Sequence, residues 1–298
     1  MHTLEDLIRA TRSLGADMND HVQQESERIW AGAVRVKPAD LRMDADLRYG
    51  TDARHRLDVY SRPGQDPRPV FVYVHGGGFT GGDKRKPDSY LFENVGAWAV
   101  HAGMVGVNLT YRLAPQHRWP AVVQDIAAAL QWVRDHIHEY GGDPRTIVLA
   151  GHSAGAAHVA NYVARTASPE VPYPAVQGAV LCSGMYDIVA AGNRPSVQTY
   201  YGADPAEHEK QSSIAGLCAG HTPLLIAVAE NEPYVFHRQA LALVDALATQ
   251  HGKMPLFTVV QGHNHFSETY HFGSEDTQLT GMIARFAHSS TAAGMAGR

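Results

Sequence analysis

The chain has 298 residues, 44% of them hydrophobic and 18% charged, with a formal net charge of −5. That is material for one large α/β domain or two small ones, and without any basic block it speaks against a nucleic-acid or membrane-surface role. Two cysteines, Cys182 and Cys218, make no disulfide framework, and no run reaches the roughly 18 apolar residues of a membrane-spanning helix. The stretch 1–6 lacks the basic and apolar regions of a signal peptide, so a soluble, cytoplasmic protein is expected.

Residues 1–30 read as one or two helices with Leu4, Leu7 and Ile8 on one face and Trp30 at the far end. Lying ahead of every strand, they must pack on something built later. Short alternating stretches between 34 and 60, clearest at Arg56–Tyr60, read as edge strands. Pro69–Val74 is an apolar run of buried-strand length that ends in His75-Gly76-Gly77-Gly78-Phe79. A helix is expected at about 87–102, opened by Pro87, and a strand at 104–109. Pro120 opens another helix, with Val122, Ile126, Leu130, Val133 and Ile137 on one stripe, and Gly141-Gly142-Asp143-Pro144 stops it.

Strand residues 146–150 then run into Gly151-His152-Ser153-Ala154-Gly155, after which a good helix former begins. Further strands are expected at 179–182, 224–228 and 256–260, with helices at about 233–250 and 275–288. The 190–220 stretch reads as irregular, a candidate insertion. Strands alternating with helices mean a mostly parallel sheet covered on both faces.

A G-x-S-x-G between strand and helix is a nucleophile elbow: the serine stands clear of the sheet, and the first helix amides face the same space. The loop Gly76-Gly77-Gly78-Phe79-Thr80-Gly81 also satisfies G-x-G-x-x-G. A dinucleotide site fails on context, because a polar loop follows instead of a helix, and no acid closes a second strand. The rival reading is an oxyanion hole of side-chain-free glycine amides, with His75 anchoring the loop. A serine needs a base and the base an orienting acid, in the order serine, acid, histidine. Glu230 and Glu232 are the candidate acids, and His263 and His265 the candidate bases. The His-x-His pair is also weighed as a metal site, but no third ligand at suitable spacing completes it.

Taken together, His75-Gly76-Gly77-Gly78, Tyr111-Arg112-Leu113-Ala114-Pro115, Gly141-Gly142-Asp143-Pro144 and Gly151–Gly155 resemble the motif series of the hormone-sensitive-lipase-like esterases of the α/β-hydrolase superfamily. Ser183–Asp187, Phe236-His237-Arg238-Gln239 and His265-Phe266 are similar to the kynurenine formamidase branch of that superfamily. The resemblance implies an α/β-hydrolase fold with a mostly parallel eight-stranded sheet. One domain over 1–298 is expected, with 1–50 as cap and edge segment and 190–220 as a candidate cap insertion. The apolar face of Leu4, Leu7, Ile8 and Trp30 makes residues 1–30 an N-terminal helical cap over the mouth at the strands' carboxyl ends or, alternatively, a helix packed on the flank of the sheet.

The resemblance also selects residues. The acid position before Phe-x-Arg-Gln matches Glu232, where Asp is usual, and the histidine before phenylalanine matches His265; Glu230 and His263 remain the alternatives. The catalytic set is then Ser153, Glu232 and His265, with amides of Gly77, Gly78 and Ala154 as the oxyanion hole. Arg112 and Asp125 are expected to tie helix to loop, Cys182 to fill core and Asp187 to be structural. The activity implied is hydrolysis of short-acyl carboxylic esters through an acyl-enzyme, with an aryl formamide as the other substrate class. No metal or cofactor is required, the partner is a small ester or amide, and a homodimer is left open. A non-catalytic binding protein on the same scaffold is the rival from another class, disfavoured because all three roles are filled.

Overall fold

A computed structural model describes residues 3–34, 40–64, 67–166, 171 and 173–296. Two helices come first, α1 (Leu4–Ser13) and α2 (Asp20–Ala31), each opened by a side-chain cap: Thr3 on the amide of Asp6 and Asn19 on that of Val22. Strands β1 (Arg42–Arg48) and β2 (Arg56–Ser61) pair antiparallel. The chain continues through β3 (Arg68–Val74), α3 (Glu93–His101), β4 (Val105–Leu109), α4 (Ala121–His136), β5 (Gly142–His152), α5 (Ala154–Val163) and β6 (Gly178–Cys182). Four short helices follow: α6 (Ile188–Ala191), α7 (Pro195–Tyr201), α8 (Pro205–Gln211) and α9 (Ile214–Ala219). Then come β7 (Leu224–Asn231), α10 (Tyr234–His251), β8 (Leu256–Asn264), α11 (Ser267–Tyr270) and α12 (Gln278–Ala296).

The eight strands form one sheet in the order β1-β2-β4-β3-β5-β6-β7-β8, with only the β1–β2 and β2–β4 pairs antiparallel. Alternation along β3 explains why both faces are covered. Val70, Val72 and Val74 pack with Ile126 of α4, Val159 of α5 and Leu243 of α10. Phe71 and Tyr73 point the other way, into a second core with Trp98 of α3 and Ile283 and Phe286 of α12. No helix of the described residues is long and apolar enough to cross a membrane.

Two expectations need correcting. Helix α3 begins at Glu93, not near Pro87, because the Lys86 amide donates to the Leu91 carbonyl at 2.7 Å and closes the intervening residues into a turn. The 190–220 stretch is helical, not irregular. Its helices are too short to print a 3.6-residue pattern and are started locally, by the Asp187 and Asp204 side chains and by Pro195 and Pro205 in first-turn positions.

Candidate active site

Ser153 occupies the single position between the end of β5 and the start of α5, with φ 57° and ψ −121°. A non-glycine residue held in that region is strained, and the surroundings must over-determine it. They do so through backbone contacts that leave no room for side chains. A Cβ on Gly155 would run into the Val74 and His75 carbonyls, and one on Gly151 into the backbone of Gly155. The Ser153 amide donates to the Cys182 carbonyl at 2.9 Å, tying the turn to β6.

The hydroxyl that this turn presents lies 2.9 Å from Nε2 of His265, and Nδ1 of His265 lies 2.7 Å from Oε2 of Glu232. Both partners come from loops at the carboxyl ends of neighbouring strands, Glu232 after β7 and His265 after β8. His265 is enclosed by Phe236, 4.4 Å between ring centroids, and by His152 at 4.7 Å. Burial pushes its pKa down to about 3, so the ring is neutral at pH 7 and can accept a proton. Oε1 of Glu232 also accepts from the Ser183 hydroxyl at 2.9 Å and the Ala229 amide at 3.2 Å. Burial raises this carboxyl, and the donors around it work in the opposite direction.

The alternative residues lie elsewhere. Glu230 points outward to Arg12 of α1, at 2.9 Å, and accepts from the Gly262 amide. His263 is turned away from Ser153 to Asp276 at 3.2 Å and to Ser267, and lies flat under Trp30. His263, His271 and Asp276 do gather, their ligand atoms within 4.8 Å of one another, so a third ligand exists that the spacing concealed. The group is sealed under Trp30, and three donors are one short of the tetrahedral set that closed metal sites use.

His75 is fully buried, stacked on Tyr111 at 4.4 Å, and its carbonyl accepts from the Tyr111 hydroxyl at 2.7 Å. Arg112 grips Asp125 through its backbone amide and its guanidinium, and His55 meets the same carboxylate at 3.0 Å. Asp187 caps α6, and Cys182 is buried at the end of β6.

The glycine loop faces Ser153. A Cβ on Gly76 would stand 3.1 Å from Cβ of Ser153, so the loop backbone lies directly against the serine. Gly77 and Gly78, with φ 131° and 59°, are exposed, and the Gly77 carbonyl accepts from the Thr80 and Gly81 amides, which curls the loop. Ala154 is the first residue of α5, where an amide has no intrahelical partner and the helix dipole favours negative charge.

Residues 57–247 match the family model described as BD-FAE, well over half of the chain. The chain belongs to the BD-FAE family. Among curated proteins it is 28% identical to the probable carboxylic ester hydrolase LipM of Mycobacterium tuberculosis, over 83% of this chain and 64% of that one. It therefore spans less than two thirds of the length of LipM. It is 28% identical to ethyl acetate hydrolase of Pseudomonas putida, covering 87% of this chain and 88% of that one. It is also 25% identical to kynurenine formamidase of Salmo salar, covering 81% of each. Among solved structures, esterase B of Lactobacillus rhamnosis superposes with a TM-score of 0.75 at 18% identity, over 99% of both chains. The fold is thus the α/β-hydrolase fold of the esterases.

Ser183 lies within the formamidase-like motif Ser183–Asp187 but has no role assigned by it, and Glu268 belongs to none of the motifs. Nothing in the local pattern marks either, since they meet only where the end of β6 abuts α11.

Proposed function

We propose that the chain is a serine hydrolase that cleaves short-acyl carboxylic esters, with Ser153 as nucleophile, His265 as general base and Glu232 as orienting acid. The observation that carries this reading is the continuous path from the Ser153 hydroxyl through His265 to Glu232, at 2.9 and 2.7 Å. Glu232 fixes the tautomer with the proton on Nδ1, leaving Nε2 to accept from the serine. As Oγ attacks the ester carbonyl, its proton passes to Nε2 and negative charge gathers on the carbonyl oxygen. Amides of Gly77, Gly78 and Ala154 are read as its donors, each worth up to about 3–4 kcal/mol in such sites. His265 then returns the proton to the departing alcohol, and a water deprotonated at the same nitrogen releases the acid.

The short-acyl class draws support from the ethyl acetate hydrolase relative. An aryl formamide is the second reading, favoured by the likeness to kynurenine formamidase. Helices α1 and α2, which pack on the carboxyl ends of the last strands, and α6–α9 are read as the cap of a single domain. Both cysteines are free, which suits a reducing cytoplasm.

A fluorophosphonate should label the protein covalently, and Ser153→Ala should abolish labelling; labelling that survives the substitution overturns the assignment. Rates on p-nitrophenyl acetate, p-nitrophenyl butyrate and N-formylkynurenine decide between ester and formamide.

A further inference from the structure

The hydroxyl of Ser183 lies between two buried carboxyl groups, 2.9 Å from Oε1 of Glu232 and 2.7 Å from Oε2 of Glu268. A hydroxyl has one proton and can donate to only one of them. At 2.7 Å the other contact needs a proton of its own, since two bare oxygen lone pairs would repel. One of the two carboxyls is therefore an acid. The surroundings decide which. Glu232 has three donors: the Ser183 hydroxyl, the Ala229 amide and Nδ1–H of His265. Glu268 is fully buried, its Oε1 has no partner, and Nε2 of His152 stays 3.5 Å from its Oε2. Among the described residues no lysine or arginine pairs with it. An ionised carboxylate left so poorly solvated is far more costly than a neutral acid.

The geometry points to Glu268 as a neutral carboxylic acid that donates its proton to Oγ of Ser183, which in turn donates to Glu232: a positioning residue for the triad acid. This rests on the hydrolase reading above. The chain of donors runs one way, from Glu268 to Ser183 to Glu232, and Glu232 receives His265 from its other side. Two things follow for the chemistry. Glu232 is held in one orientation, with Oε2 kept for the imidazole. The site also carries one negative charge, matched to the single positive charge that His265 gains when it takes the serine proton. A second carboxylate there would draw a proton onto His265 before substrate arrived, and the base would be spent.

Three measurements on the full chain test this. Glu268→Ala should lower kcat at least about tenfold with little change in KM, as loss of outer supporting hydrogen bonds does elsewhere. Glu268→Gln, whose amide can still donate to Ser183 and never ionises, should restore most of that loss and keep the pH profile. The downfield proton resonance of His265 Nδ1–H should weaken in the alanine variant and return in the glutamine variant. Infrared spectra should show a protonated-carboxyl carbonyl band that persists from pH 5 to 9 and vanishes in Glu268→Gln. A Glu268→Gln protein that is as impaired as the alanine variant, or that does not fold, overturns the proposal, because it would mean the charge is needed. So does absence of the infrared band, which decides the matter even if Glu268→Ala fails to fold. If the wild-type protein neither turns over esters nor reacts with a fluorophosphonate, the hydrolase reading has failed, and the infrared band still locates the proton.

Discussion

The ring of Phe79 lies parallel to that of Tyr200, with centroids 5.2 Å apart and planes 5° from parallel. Phe79 follows the exposed glycines, itself at φ 70°, and Tyr200 belongs to α7. Tyr201 and His158 meet the Phe79 ring edge-on. The glycine loop is thus held in shape by a segment inserted between β6 and β7, more than a hundred residues later in the chain.

Phe79→Ala should therefore harm both stability and catalysis. Phe79 is 4% exposed, and truncating a buried phenylalanine costs about 3–5 kcal/mol. The loop backbone should also drift from its position against Ser153, lowering kcat more than it raises KM. Denaturant unfolding and steady-state kinetics on the same preparation test this. A variant with the expected loss of stability but an unchanged kcat would show that the aromatic stack does not hold the donors.

The paired candidates separate cleanly by substitution. His265→Ala should lower kcat by about 10⁴–10⁶, and Glu232→Ala by about 10⁴, since the acid orients while the base reacts. Glu230→Ala removes an exposed pair with Arg12, worth about 0–1 kcal/mol in such settings, and should leave kcat within a few-fold. His263→Ala should lose stability first, because the ring fills space beneath Trp30. A dead His263→Ala enzyme that is still fully folded would reverse the choice of histidine.

Acid should unfold this protein early. Burial pushes His75 down to about 4, His158, His265 and His271 to about 3, and His152 well below its ordinary range. In the unfolded chain these imidazoles take up protons below about pH 6.5, whereas in the folded chain they do not. The stability they leave intact above that value is lost as pH falls toward their folded pKa values, at about 1.4 kcal/mol per pH unit for each ring. Glu268 acts in the opposite sense above about pH 4.5, because the folded state keeps a proton that the unfolded state releases. Glu232, also raised by burial, acts in the same sense as Glu268, and the five rings outweigh the two carboxyls. Urea midpoints at pH 7, 6 and 5 should fall with increasing steepness, and equal midpoints at 7 and 5 would refute this account. The acid limb of kcat/KM should also lie below the usual imidazole value.

Trp30→Ala should cost about 3–5 kcal/mol, as loss of a fully buried tryptophan does. Its indole N–H also donates to Thr11 at 3.0 Å, so the change separates α1 from α2. The effect should reach activity, because Trp30 covers His263 at the end of β8, the strand that leads into His265. If the two helices are instead a detachable cap, deleting residues 1–30 leaves the core folded, raises KM and alters acyl-length preference; melting temperature and KM of the truncated chain distinguish the two.

Much of the architecture was legible because it is written locally. Strand, glycine-flanked serine and helix at 146–163 are contiguous, and the alternation of apolar runs with helical stripes marks the parallel sheet. The pairs Glu230/Glu232 and His263/His265 could not be separated by pattern alone. Residues two apart share a face of a strand, and only the bend that each loop takes past the strand end decides which side chain reaches Ser153. Residue type in the motif likeness supplied that choice. Ser183 and Glu268 were beyond reach for another reason: their juxtaposition is a product of packing between elements 85 positions apart.

The docking of Trp30 on His263 has a consequence for how the protein is made. The ribosome releases α1 and α2 early, yet the surface that receives them is finished only when β8 and α11 have emerged. Until then Trp30, Leu4, Leu7 and Ile8 lack Phe266 and Tyr270, the late-made part of their cluster, and have only Tyr90, Leu91 and Phe92 to pack on, so an apolar segment waits half covered. Contacts of such long sequence separation form late and leave sticky intermediates exposed. A ribosome stalled before residue 263 should therefore hold a nascent chain with an assembled elbow, an undocked leading segment and a heightened demand for chaperones.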